Sequence, residues 1–254
     1  MSANLDQTTL AYINMYGVLG GLVALCETVP EAQKILGKSG TSIGFSVKNG
    51  PHATLTFVGG RCHIKEGIED CAIKLPFSSP EKFNGMINGT VTPVPSRGFT
   101  KIGFLLGKFK KLTNLLEAYL RPTEDKLKDE EFLRRSTTIM FRVIVNAVAQ
   151  IANHDPIGKF SASSIVDGAI RLEIDGLTSA ALIAKDHVLT FSQKVPKTIM
   201  SYMQFSDVKV ARDIFDGRVN SVAAVGLGNV RIGGMISQVD NVNKILSRVE
   251  LYLK

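Results

Sequence analysis

Tryptophan is missing from all 254 residues of this chain, which removes the indole clusters that often mark sugar and nucleobase sites. Cysteine is scarce. Cys26, Cys62 and Cys71 form an odd set confined to the first half, which argues against a disulfide framework and for a reducing compartment. Acidic residues are in the minority, 23 against 30 lysines and arginines, for a net charge of +7. That excess suits acidic partners such as phospholipid headgroups or phosphate-bearing ligands, although lysines dispersed over solvated faces give the same total. Nucleic acid is not among the expected partners. The opening MSANLDQ lacks the basic start of a secretory signal, so the expected location is cytoplasmic, at most peripheral to a membrane.

Reactive constellations are equally hard to find. GKSGT, Gly37 to Thr41, ends like a phosphate-binding loop, but Ala32 stands where that loop needs a glycine, and the segment follows a helix pattern rather than a strand. Cys62 and His63 are neighbours in a strand pattern and point to opposite faces, so with Cys71 they make a poor metal set. His154-Asp155 precedes a proline and reads as local helix capping, while His52 and His187 lie at turns. No serine sits in a glycine-framed elbow. The expectation is a chain with no catalytic residues, no metal and no cofactor, and not an enzyme.

What the sequence does contain is itself, twice. FNGMINGTV, Phe83 to Val91, has the shape of ARDIFDGRV, Ala211 to Val219. Sliding the chain by 126 positions lays Met15–Pro30 on Phe141–Pro156, so that Val18, Leu22 and Leu25 meet Ile144, Val148 and Ile151. Apolar residues at i, i+4 and i+7 describe one helix face, and the proline supplies the stop. Arg142, Asn146 and Gln150 add a polar stripe in the second copy, where the first has Tyr16, Gly20 and Ala24. Gln7 to Cys26 carries no charge and is long enough to be weighed as a membrane span. The comparison instead favours a packed helix.

Alternating segments follow each helix. Ile43, Phe45 and Val47 share one face, as do Ile170, Leu172 and Ile174, and both runs end in Asn-Gly or Asp-Gly, which suit tight hairpins. Further strands join at Gly59-Gly60 and Lys185-Asp186. A fourth strand and a short helix come next, with Ser79-Pro80-Glu81 and Ser206-Asp207 as helix starts. FTKIGF, Phe99 to Phe104, and NVRIGG, Asn229 to Gly234, read as a final strand in each copy, matched at Lys101-Ile102-Gly103 and Arg231-Ile232-Gly233. An amphipathic helix closes each half. The boundary falls near Arg121-Pro122, dividing the chain into 1–121 and 122–254, with Thr123 as N-cap of the second unit.

This order, with FNGMINGTV…FTKIG and ARDIFDGRV…VRIGG around a glycine turn, resembles the sterol carrier protein type-2 family in two tandem copies. The resemblance covers nearly the whole chain; TPVPSRG, Thr92 to Gly98, departs from it by being proline-rich. It implies an α+β fold, each domain a mostly antiparallel five-stranded twisted sheet with helices packed on one face and a hydrophobic tunnel between. It also implies lipid binding or lipid transport without catalysis, the ligand being a fatty acid, acyl-CoA, sterol-like molecule or phospholipid. Each buried methylene contributes about 0.8 kcal/mol, so an apolar tunnel holds a lipid without any reactive group.

The expected lining is Phe83, Met86, Ile87, Phe104, Leu105, Leu112 and Leu116 in the first copy. In the second it is Met203, Phe215, Met235, Ile236, Val239 and Leu246. Lys101, Lys108, Lys110 and Lys111 are the expected contacts for headgroups or phosphates on a transiently bound anionic membrane surface. The alternative reading is a structural or interaction module, a pseudo-dimer with filled cavities partnering an enzyme.

Overall fold

The structure is a computed structural model that describes residues 5–68 and 70–253. It divides into two compact units, Met1–Pro122 and Thr123–Lys254. Both are α+β, with one mixed sheet each.

Unit 1 opens with α1 (Gln7–Tyr12), capped by the Asp6 carboxylate on the Thr8 and Thr9 amides. The helix widens into a π segment, Ile13–Leu19, and continues as α2 (Gly21–Thr28). Gln7–Thr28 is apolar and long enough to cross a membrane, yet 67% of its most apolar window is buried within the protein. Pro30 then occupies the first turn of α3 (Pro30–Leu36), where its missing N–H costs nothing. Strands β1 (Thr41–Val47), β2 (His52–Val58) and β3 (Arg61–Glu66) form an antiparallel meander. β4 (Ile73–Phe77) adds to the free edge of β1 in parallel, giving the order β3-β2-β1-β4. Gly59 and Gly60 hold φ of 57° and 76°, the positive pair that a tight hairpin matching strand twist requires.

After α4 (Pro80–Ile87) unit 1 departs from the expected plan. Phe99–Phe104 is not a strand: a 3-10 turn at Phe99–Lys101 leads into α5 (Ile102–Phe104), a second π segment at Leu105–Phe109, and α6 (Lys110–Leu120). The sheet therefore has four strands rather than five. Pro93 and Pro95 offer no backbone donor for a fifth. Beside β4 the chain makes a single bridge, between Lys74 and Arg97. Gly98 then turns with φ of 87°, its Cα hydrogens so close to the Ala72 carbonyl that a Cβ would lie 2.2 Å from the oxygen. The helical spacing of Leu105, Phe109, Leu112 and Leu116 draws the preceding residues into the same helix.

The long helix of unit 2 starts later than the sequence suggests. Lys126–Lys128 form a 3-10 turn, and Asp129, not Thr123, caps the long helix α7 (Glu130–His154) through the Phe132 amide. α8 (Pro156–Ala162) follows, then the antiparallel meander β5 (Gly168–Ile174), β6 (Thr178–Lys185) and β7 (Val188–Ser192). Its second turn falls on Asp186 and His187, with φ of 50° and 65°, one residue beyond the expected join. β8 (Ser201–Phe205) pairs in parallel with β5. α9 (Val208–Phe215), capped by Asp207, and the unexpected α10 (Ser221–Gly226) lead to β9 (Val230–Gly234), antiparallel to β8. The sheet order is β7-β6-β5-β8-β9, and α11 (Ile236–Leu253) ends the chain. As far as α4 and α9, the two units run through the same elements in the same order.

Candidate functional site

In unit 1 phenylalanines from the sheet, α4 and the closing helical segment meet in a chain of ring contacts. Phe83, fully buried on α4, meets Phe77 edge-on at 5.3 Å and Phe45 at 6.3 Å. Phe57 meets Phe104 at 5.3 Å and Phe109 at 6.2 Å, and Phe109 also lies 6.2 Å from Phe45. Offset and edge-on contacts of this kind add to the area each ring buries. Leu112 and Leu116 are buried, while Met86, Ile87 and Leu105 are half-buried. The seven residues expected to line a tunnel here thus divide between a packed aromatic core and its margin.

The sheet's polar side in the same unit has a hollow of about 430 Å³. It is edged by Ser42, Thr54, Thr56, Asp70 and Lys101. None of the apolar residues expected as lining belongs to it.

Unit 2 has a cavity of about 320 Å³ beside its last strand. β8 supplies Met203, β9 supplies Ile232, Gly233 and Gly234, α10 supplies Val225, and α11 supplies Ile236, Val239, Asp240 and Asn243. The volume lies at the small end of the range for ligand pockets. The walls are aliphatic. Polar groups come only from one turn of α11, where Asp240 pairs with Lys244 at 2.7 Å on the solvent side. Gly234, with φ of 89°, lies so close to β8 that a Cβ would be 2.0 Å from the Met200 carbonyl, so the strand-to-helix corner closes the cavity's end only as glycine. The surroundings of the mouth are unusually apolar for surface: Ile236 is 82% exposed and Leu227 74%, with Ile232 and Met235 also exposed.

Of the six residues expected to line the second copy, Met203, Ile236 and Val239 meet at this cavity. Phe215 instead packs edge-on against Phe205 at 5.4 Å and lies 6.5 Å from Phe141. Met235 is exposed and Leu246 half-buried, neither in the wall. Val225, Ile232, Gly233, Gly234, Asp240 and Asn243 line the cavity and are not in the expected set. Val225 belongs to a helix that Gly and Asn around it did not announce, and Asn243 is the polar i+4 neighbour of Val239.

The lysines separate too. Lys108 turns inward, its ammonium donating to the Leu36 carbonyl at 2.8 Å and to the Ser39 hydroxyl, so it caps the C-terminus of α3 and does not face solvent lipid. Lys101, Lys110 and Lys111 are exposed.

Titratable groups with displaced pKa values lie away from the cavity. Burial pushes the Cys26 thiol up to about 12, helped by the Glu27 charge, and burial raises Cys62 further. Burial and the Glu66 charge raise Tyr12 and Tyr16. Among the described residues, no group of three His, Cys, Asp or Glu side chains could hold a metal ion.

The chain matches no protein-family model and no curated protein. Among solved structures it aligns with a UbiJ-SCP2 ubiquinone synthesis protein at 18% identity and a TM-score of 0.34, over 42% of this chain and 88% of that one. Sterol carrier protein 2 from Yarrowia lipolytica, in its apo form, aligns at 15% identity and a TM-score of 0.29, over 39% of this chain and 91% of that one. A stereoselective inverting sec-alkylsulfatase from Pseudomonas sp. aligns at 10% identity and a TM-score of 0.25, over 58% of this chain but 28% of its own.

Proposed function

We propose that this chain is a tandem pair of sterol-carrier-like domains that binds a hydrophobic or lipid ligand without catalysis, and that unit 2 is the binding half. The observation that carries the reading is the aliphatic cavity between β8, β9, α10 and α11, with exposed Ile236 and Leu227 nearby. Its walls offer area to a hydrocarbon chain and little to a charged substrate, and the polar groups of Asp240 and Asn243 sit where a ligand's polar end would meet water. At 320 Å³ the cavity suits one acyl chain or a compact hydrophobe better than a two-chain phospholipid.

The competing reading, a structural module with filled cavities that partners an enzyme, is favoured for unit 1 by one observation. The rings of Phe45, Phe57, Phe83, Phe104 and Phe109 occupy its interior. Unit 1 is then the support and unit 2 the receptor.

Native mass spectrometry of freshly purified chain, together with uptake of a fluorescent fatty acid, tests the reading. Co-purified hydrophobe or saturable uptake that falls at least tenfold in Val239→Phe supports it. A clean apo mass with no uptake overturns it. Uptake unchanged in Val239→Phe moves the site out of this cavity.

A further inference from the structure

A second set of exposed apolar side chains lies in unit 1, on the helical segment that leads into α6. Phe99 is 62% exposed, Ile102 37% and Leu106 71%. They stand three and four residues apart, a stripe in sequence that runs through the 3-10 turn, α5 and the π segment, and the buried Leu112 and Leu116 follow on α6. Lys101 precedes Ile102, and Lys110 and Lys111 follow Leu106 at the start of α6. These lysines are exposed and make no ion pair among the described residues. Between Glu81 and Glu117 the chain contains no acidic residue, while Lys82, Arg97, Lys101, Lys108, Lys110 and Lys111 all fall there; Arg97 pairs with Asp70, which edges the same hollow as Lys101.

We infer that this stripe docks unit 1 on an anionic lipid surface, with Phe99, Ile102 and Leu106 entering the interface and Lys101, Lys110 and Lys111 on the headgroups. Three large apolar side chains on about 10 Å of helix are costly in water and are satisfied at the headgroup–acyl boundary. Lysines bracketing them reach anionic headgroups through their flexible stems. The exposed ammonium groups of Lys101, Lys110 and Lys111 beside these apolar side chains supply charge complementarity to an anionic bilayer. The inference does not depend on whether unit 2 holds a ligand.

Because the chain lacks tryptophan, Leu106→Trp makes the full-length protein report from one position. Its emission is expected to shift to the blue with vesicles of phosphatidylcholine mixed with phosphatidylglycerol, and to stay unshifted with phosphatidylcholine alone. Each lysine near an anionic surface contributes roughly fivefold, so K101E/K110E/K111E should weaken binding on the order of a hundredfold. F99S/L106S should weaken it roughly tenfold or more. K185E/K194E/K197E, an equal charge change on exposed lysines of unit 2, should stay within a few-fold. Equal loss in that control, binding without the blue shift, or full binding by either test variant overturns the proposal. A blue shift that follows protein concentration without vesicles also overturns it, because a second copy then covers the stripe.

Discussion

Asp155, at the start of α8, accepts a 2.7 Å hydrogen bond from the hydroxyl of Tyr252, near the far end of α11. The same carboxylate oxygen accepts from Arg248 at 2.7 Å, and the other caps the Gly158 amide at 2.8 Å. One carboxylate, only 1% exposed, therefore ties the closing helix of unit 2 to the first turn of another. An ion this buried is tolerable because each of its oxygens has a donor.

Removing it should be costly. Asp155→Ala leaves Arg248 and Tyr252 without their acceptor and uncaps α8, for an expected loss of about 3–5 kcal/mol. Urea unfolding followed by circular dichroism measures it, and Tyr252→Phe should lose less, about 1–2 kcal/mol. A loss under about 1 kcal/mol in Asp155→Ala would show that the network does not hold the helices together.

The same carboxyl makes unit 2 acid-sensitive. Burial alone would raise it, but the hydrogen bonds from Arg248, Tyr252 and Gly158, with the Arg248 charge, outweigh burial and hold it below its ordinary 3.8. A depressed folded-state value contributes stability that is present above 3.8 and lost as the pH falls through the folded value. Urea midpoints should thus decline below about pH 4. The decline should be shallower in Tyr252→Phe, which removes one of the hydrogen bonds lowering the carboxyl. Identical slopes in the two proteins would contradict the assignment.

Each short helix also carries one buried polar side chain aimed at the leading helix of its own unit. Asn84 on α4 accepts from Asn14 at 3.0 Å and donates to Gln7, both in the α1–π run, while Arg212 on α9 donates to Ser136 at 2.9 Å and pairs with Asp216 at 2.8 Å. Asn84→Ala should cost about 1–3 kcal/mol, because it strands the Asn14 amide in the core. Asn14→Leu with Asn84→Leu should cost less than the sum of the single changes, which a double-mutant cycle reads directly. Simple additivity would mean that the two amides are not coupled.

These contacts show where the sequence was legible. Pro30 and Pro156 stop one helix and start the next by a purely local rule, and Asp155 reads as a cap because a proline follows it. The hairpins announce themselves through Gly59-Gly60 and Asp175-Gly176. The fifth strand of unit 1 fails for the opposite reason. Lys101-Ile102-Gly103 matches Arg231-Ile232-Gly233 letter for letter in type, yet the first lies in a helix and the second in a strand. Three residues do not decide; Pro93 and Pro95 upstream and the helical stripe downstream do. The cavity is harder still. Met203 beside it and Phe215 away from it obey one apolar pattern, since packing against a void or against a ring depends on partners distant in sequence. Val225 and Asn243 carry no local mark at all.

The packed rings of unit 1 and the rim of the unit 2 cavity differ in a measurable way. Phe83→Ala removes a fully buried ring from between Phe45 and Phe77, and should cost about 3–5 kcal/mol in urea unfolding. Ile236→Ser, at the exposed edge of the unit 2 cavity, should stay within about 0.5 kcal/mol. Equal costs would mean that Ile236 is core and not rim.

The cysteines give the last test. Cys26, Cys62 and Cys71 are all buried and free. Burial raises both Cys26, to about 12, and Cys62, and the thiolate that attacks a disulfide reagent is correspondingly rare. At about pH 8, a thiol with that value is ionised in roughly one molecule in ten thousand, before access to the core is counted. Ellman's reagent should therefore find almost no reactive thiol in the native chain within minutes, and three after unfolding in guanidinium. A rapid native burst of one thiol would place that cysteine at a surface that opens, and Cys26→Ala, Cys62→Ala and Cys71→Ala made one at a time would identify which. Loss of the burst in Cys26→Ala or Cys62→Ala would mean that α2 separates from β3 in the native state, because those two side chains lie on these two elements.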